Sequence, residues 1–118
     1  MTVESMLFDA LKGLVSNRVF PDIAPDLTPR PYITYQQVGG VAVNFLDPTI
    51  PSKGNGRIQV NVWADTRAQA AALAKQVEDA LRATTALQTT VEGAPIGIFE
   101  LDTKLRGTMQ DFSVWFNP

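Results

Sequence analysis

The sequence predicts an α+β fold, in which a small, mainly antiparallel sheet of about five strands packs against two helices. Three observations predict it. Two stretches repeat apolar residues at three-four spacing, the signature of an amphipathic helix. Several short segments rich in β-branched and aromatic residues alternate apolar with polar, as strands with one buried face do. In chain order the segments run helix, two strands, strand, helix, two strands. Only one strand-to-helix connection exists, so the sheet is mainly antiparallel and both helices share one of its faces.

The first helix is predicted over Thr2–Val15, where Val3, Met6, Leu7, Ala10, Leu11, Leu14 and Val15 form one apolar stripe. Thr2 caps its start, and Glu4 lies favourably in the first turn. Pro21, Pro25, Pro29 and Pro31 then punctuate Phe20–Pro31, which reads as an irregular, extended connector across the body of the domain. Its Phe20, Ile23 and Leu27 make it too apolar for a flexible interdomain linker. Tyr32–Val38 reads as a strand, Gly39-Gly40 as a turn or bulge, and Val41–Leu46 could be the returning strand of a hairpin. Asp47–Gly56, with its glycines and prolines, is the most loop-like segment of the chain.

Arg57–Ala64 gives the clearest strand: Ile58, Val60, Val62 and Ala64 alternate with Arg57, Gln59, Asn61 and Trp63. Thr66 and Gln69 form a capping box for the second helix, whose inward stripe is Ala70, Leu73, Ala74, Val77 and Leu81. Thr84-Thr85 ends it. Beyond a polar link and the Gly93-Ala94-Pro95 break come strands at Ile96–Lys104 and Thr108–Phe116, with a turn at Gly107.

Composition narrows the function. The 118 residues are one domain's length and suffice for a core without staples. No cysteine and no histidine are present, which excludes thiolate sites and both Ser-His-Asp and Cys-His catalysis. Carboxylate, lysine or tyrosine chemistry stays open. The net charge of −2 and the scatter of basic residues from Lys12 to Arg106 argue against a nucleic-acid footprint. The start of the chain lacks a signal peptide's pattern and no stretch approaches a membrane span, so a soluble, cytoplasmically made protein is expected, with no membrane partner.

Particular motifs add little chemistry. Gly54-Asn55-Gly56 precedes a strand rather than a helix and is no phosphate loop. Asp22, Asp26 and Asp47 are isolated, without the tight spacing of a calcium loop. Glu100 and Asp102 fall on one strand face and could pair, although alternation on a solvent-facing strand explains them equally well. No catalytic, cofactor or metal site is assigned. Trp63 and Trp115 lie where alternation puts the polar face. That leaves two readings: the connector folds over them, or they belong to an interaction surface.

Taken together, the early helix with Val19-Phe20-Pro21, then Arg30-Pro31-Tyr32-Ile33-Thr34-Tyr35-Gln36, then Gly56–Ala64 leading into the alanine-rich helix, and finally Gln110–Phe116, resemble the tail completion proteins of siphophages and prophages. These are similar in role to the minor tail protein U of phage lambda and to tail-to-head joining proteins. The resemblance covers nearly the whole chain. It implies a structural protein without enzymatic activity or cofactor, made in the host cytoplasm and carried in the virion tail. It also implies a homo-oligomer, a six-fold ring on the head-proximal end of the tail tube. There the ring stops tube polymerisation and meets the head-tail connector. On this reading the Gly39–Gly56 loop contacts the tube protein or a neighbouring subunit, and Asn44, Phe45, Lys53, Asn55, Trp63 and Trp115 are the candidate interface residues. A head-tail connector or neck protein, a small ligand-binding domain or carboxylate hydrolase, and a DNA-binding accessory protein are the alternatives, the acidic charge disfavouring the last.

Overall fold

The computed structural model describes residues 2–118. Its elements are helix α1 (Val3–Leu11), strands β1 (Val19–Pro21), β2 (Tyr32–Gln37) and β3 (Gly54–Ala64), helix α2 (Arg67–Ala83), and strands β4 (Thr90–Val91), β5 (Ile96–Glu100) and β6 (Leu105–Phe116). Short 3₁₀ turns follow each helix, at Lys12–Leu14 and Thr85–Leu87. The fold is α+β, with six strands in an open, mostly antiparallel sheet of order β1-β2-β3-β6-β4. Strand β5 lies beside β4 along the same edge of β6, pairing Leu105–Met109 while β4 pairs Phe112 and Ser113.

Alternation sets the layers. On β3, Ile58, Val60, Val62 and Ala64 are buried, and their partners on β6 include Phe112 and on β2 include Ile33 and Tyr35. Both helices cover this face. From α1 come Leu7 and Leu11, and from α2 the predicted stripe Ala70, Leu73, Ala74, Val77 and Leu81, all within one core cluster. Of these, each fully buried leucine or valine contributes roughly 1.5–3 kcal/mol of transfer free energy. The helix starts are as the sequence predicts: Thr2 accepts from Ser5 N–H and Thr66 from Gln69 N–H, each at 3.1 Å. The Gln69 amide oxygen reaches back to the N–H of Asp65 rather than of the cap itself, at 3.4 Å.

The structure departs from the predicted elements at several places. α1 ends at Leu11, and the chain tightens into a 3₁₀ turn before Ser16 and Asn17 take left-handed backbone angles that end the helical path. The connector opens with β1, which runs parallel to β2. Val41–Leu46 contains no strand, because a two-stranded ribbon projecting past the sheet buries too little to hold. β3 instead begins three residues earlier than predicted, at Gly54, and keeps its pairing with β6 as far as Phe116. The last hairpin turns at residues 101–104, and Gly107 stands inside β6. Glu100 therefore ends β5 while Asp102 sits in the turn, so the two do not share a strand face.

The result is elongated, 52 × 25 × 23 Å, with a Cα radius of gyration of 15.1 Å. A compact chain of this length has about 13.5 Å. The long β3–β6 pair and the segment 38–53 that leaves its end account for the difference.

Candidate assembly surfaces

The segment 38–53 is an arm tied down only at its base. Val38 N–H donates to Arg57 O at 2.7 Å, and Arg57 N–H donates to Gly39 O at 2.8 Å. Gly40, at φ +151°, lies so close to β3 that a Cβ there would meet Asn55 O at 2.4 Å, so only glycine lets the two backbones approach. Asn55 completes the tie. Its Oδ1 accepts from Val41 N–H at 2.8 Å, and its Nδ2 donates to Ser113 Oγ and Val114 O at 2.8 and 3.1 Å. The polar atoms of this candidate are thus engaged within the chain.

Past Val41 the arm is out in solvent. Phe45 is 53% exposed, Ile50 86%, and Leu46 fully, and among the polar residues Asn44 and Lys53 are exposed too. At the tip, Asp47 Oδ1 accepts from Thr49 N–H at 2.9 Å, and this bonding to Thr49 holds its carboxyl below the ordinary value of 3.8. Among the described residues Lys53 makes no ion pair.

The face of the sheet away from the helices carries the second feature. Trp63 lies across from Gly107, where a Cβ would sit 2.6 Å from Val62 O and 2.8 Å from the indole ring. The missing side chain makes the seat for the tryptophan. Connector residues 22–30 run beside it, and together they enclose a cleft of about 370 Å³ lined also by Tyr32, Glu100 and Leu105. The connector thus shares the cleft with Trp63 but leaves the ring partly exposed. Its own Ile23 and Leu27 are 81% and 99% exposed at the rim.

The cleft is acidic. Asp22, Asp26 and Glu100 line it, and of its one cation, Arg30, the guanidinium pairs with Asp65 outside it at 3.1 Å. Glu100 accepts from Thr103 Oγ1 at 2.7 Å. Burial, then the nearby Glu100, push the Tyr32 phenol up from its ordinary value of 10.0, so it stays a neutral donor at physiological pH.

The six candidates do not form one patch. Trp115 stands opposite Asn55 at the arm end of the same sheet face, eight residues from Gly107 and so about 26 Å from Trp63 along the strand. Phe45, Asn44, Lys53, Asn55 and Trp115 belong to the arm end, Trp63 to the cleft end. Sequence reasoning missed the cleft's other walls, which come from three separated segments. It also missed Arg67, whose guanidinium donates to Gly107 O at 2.7 Å and Ile98 O at 2.8 Å and so fastens β5 and β6 to the start of α2. Among the described residues no three acidic, histidine or cysteine side chains converge as a metal site would need, and no helix is long and apolar enough to cross a membrane.

Comparison with known proteins finds the same fold in a solved structure and a family model that spans the chain. A chain of a solved structure described as "Virion of native gene transfer agent (GTA) particle" has the same fold, with a TM-score of 0.63 at 15% identity, covering 98% of this chain and 95% of that one. A search of curated protein sequences finds no match. The family described as Tail completion protein gp17 matches residues 7–117, from the core residue Leu7 to the end of the long β6, and the chain belongs to that family.

Proposed function

We propose that this structural tail protein caps the head-proximal end of the tail tube, as a six-fold ring of identical subunits that halts tube polymerisation and presents the surface for head joining. The observation that carries the reading is the arm: an apolar, exposed segment fixed at its base by Asn55 and the Val38–Arg57 backbone bonds. Isolated exposed apolar residues are ordinary, but several on one protrusion mark a contact surface. Family membership and the likeness to a chain of a virion particle support the same reading. The work is done by surfaces, without catalysis or a cofactor. A ring requires a head-to-tail interface between two different patches, and the molecule has distinct features at its two ends.

Negative-stain microscopy of lysates from the parent phage or prophage with this gene deleted tests the proposal. Abnormally long tubes, or normal-looking tails that fail to join full heads, are the expected result. Intact infectious particles would reject a virion role. Tail-less heads with a defective neck would move the assignment to a head-tail connector.

A further inference from the structure

We propose that the acidic cleft beside Trp63 is the socket for the arm of a neighbouring copy of this chain, a step that rests on the ring reading above and names its subunit contact.

The positions require another chain. The cleft lies at the far end of β3 from the arm, nine residues from Gly54 to Trp63 and about 30 Å along the strand. The arm is anchored at Val41 and at Gly54, so its tip lies at most six residues from an anchor, a reach of about 20 Å. It therefore cannot fill its own cleft. A copy placed head to tail along the 52 Å axis brings one molecule's arm to the other's cleft.

Chemistry selects the arm as occupant. The cleft offers Trp63, Tyr32 and the exposed Ile23 and Leu27 as apolar walls, with Asp22, Asp26 and Glu100 as its uncompensated charge. The limb Ile50-Pro51-Ser52-Lys53 offers an exposed apolar side chain and, three residues on, an ammonium with no ion-pair partner among the described residues. An ammonium near carboxylates and an aromatic face gains both Coulomb and cation–π attraction. The cleft's 370 Å³ is near the lower limit of sites that enclose small ligands, about 300–1,000 Å³, so it takes a few side chains rather than a folded surface. Repeated in one direction the contact is heterologous and closes into a ring. A reciprocal exchange of arms stops at a two-fold dimer and would give disulfide-linked dimers with no ladder, which would overturn the ring contact.

The test exploits the absence of cysteine from the chain. Ser52→Cys and Asp26→Cys, both exposed positions, are introduced together in the full-length protein, and tails carrying it are purified and oxidised. A ladder of disulfide-linked multimers of this chain alone is expected, and neither single variant should give one beyond dimers. In parallel, Lys53→Glu and Asp26→Lys should each lower the yield of joined particles about tenfold, and the combined charge swap should recover most of it. Thermal melts of the purified variants should match the unmodified chain, since both positions are exposed. Properly terminated tails with no ladder and no charge-swap recovery would overturn the socket while leaving the terminator reading intact. Linking of the Ser52→Cys arm to a tube-sized protein would overturn it in favour of the tube as occupant. Absence of the chain from wild-type tails would overturn both.

Discussion

Ile58, Val60 and Val62 on β3 are 1–2% exposed, whereas Phe45, Leu46 and Ile50 on the arm that leads into the same strand are half to fully exposed. Side chains of one chemical kind, within about twenty residues of one another, have opposite fates. The difference lies in periodicity. On β3 the apolar residues recur at every second position and meet Phe112, Val114 and the stripe of α2 across the sheet. On the arm they come at irregular intervals and beyond the last strand pairing, where the sheet and helices do not cover them. Burial on β3 is a property of the fold, and the fold leaves the apolar side chains of the arm exposed.

The comparison breaks or holds on a pair of substitutions. Phe112 is fully buried in the core cluster, so Phe112→Ala should lower stability by about 3–5 kcal/mol. Phe45→Ala should leave it within about 0.5 kcal/mol while reducing the yield of joined particles. Urea unfolding of the purified chains measures the first difference and particle counts the second. A large stability loss from Phe45→Ala would mean that the arm packs on its own body and is no free contact surface.

A smaller effect is expected where the two sheet faces meet. Gly107→Ala places a methyl 2.6 Å from Val62 O and 2.8 Å from the Trp63 ring, an overpacking that costs about 1–3 kcal/mol. Both the β3 backbone at Val62 and the indole must give way, so the Trp63 fluorescence should shift in the folded state relative to the unmodified chain. An unchanged melt and spectrum would mean that the Trp63 seat is loose and that the cleft's shape does not depend on Gly107.

This glycine also shows where the sequence is legible and where it is not. The α2 stripe and the β3 alternation are written along one segment, so periodicity reads them directly. Gly107 looks like a turn residue, because the ring that needs its empty side-chain space comes from Trp63 on a strand forty-odd residues earlier. β1 and β4, at three and two residues, are too short for alternation to register, and β1 is a strand only because β2 runs parallel beside it. The arm's composition was readable but its lack of a returning strand was not, since that depends on how far β6 extends to support it. The cleft was unreadable for the same reason: Asp22, Tyr32 and Glu100 meet only once the connector and the β5–β6 turn arrive at one end of the sheet.

The smallest effect separates the same two regions through their carboxylates. Glu78, on α2, accepts from Gln110 Nε2 of β6 at 3.0 Å, and that bond first, with Lys75 and Arg82 behind it, holds its carboxyl below the ordinary value of 4.5. Asp47, at the arm tip, is also held low, but by Thr49 two residues away. A depressed folded-state value stabilises the fold above the ordinary value, and this contribution is lost as pH falls through the lower one. For Glu78 the partner on β6 exists only in the folded sheet, so the linkage must appear in global stability. Glu78→Gln should therefore be less stable than the unmodified chain at neutral pH, by less than about 1 kcal/mol given that the side chain is 19% exposed. The gap should close as pH falls below 4.5. For Asp47 the partner is two residues away, a contact that the unfolded chain can also make, so Asp47→Asn should show no gap in unfolding at any pH. A pH-independent gap for Glu78→Gln would mean that the bond to Gln110 does not depend on the carboxylate's charge. A pH-dependent gap for Asp47→Asn would mean that arm and body unfold as one unit and that the contrast between them is only one of exposure.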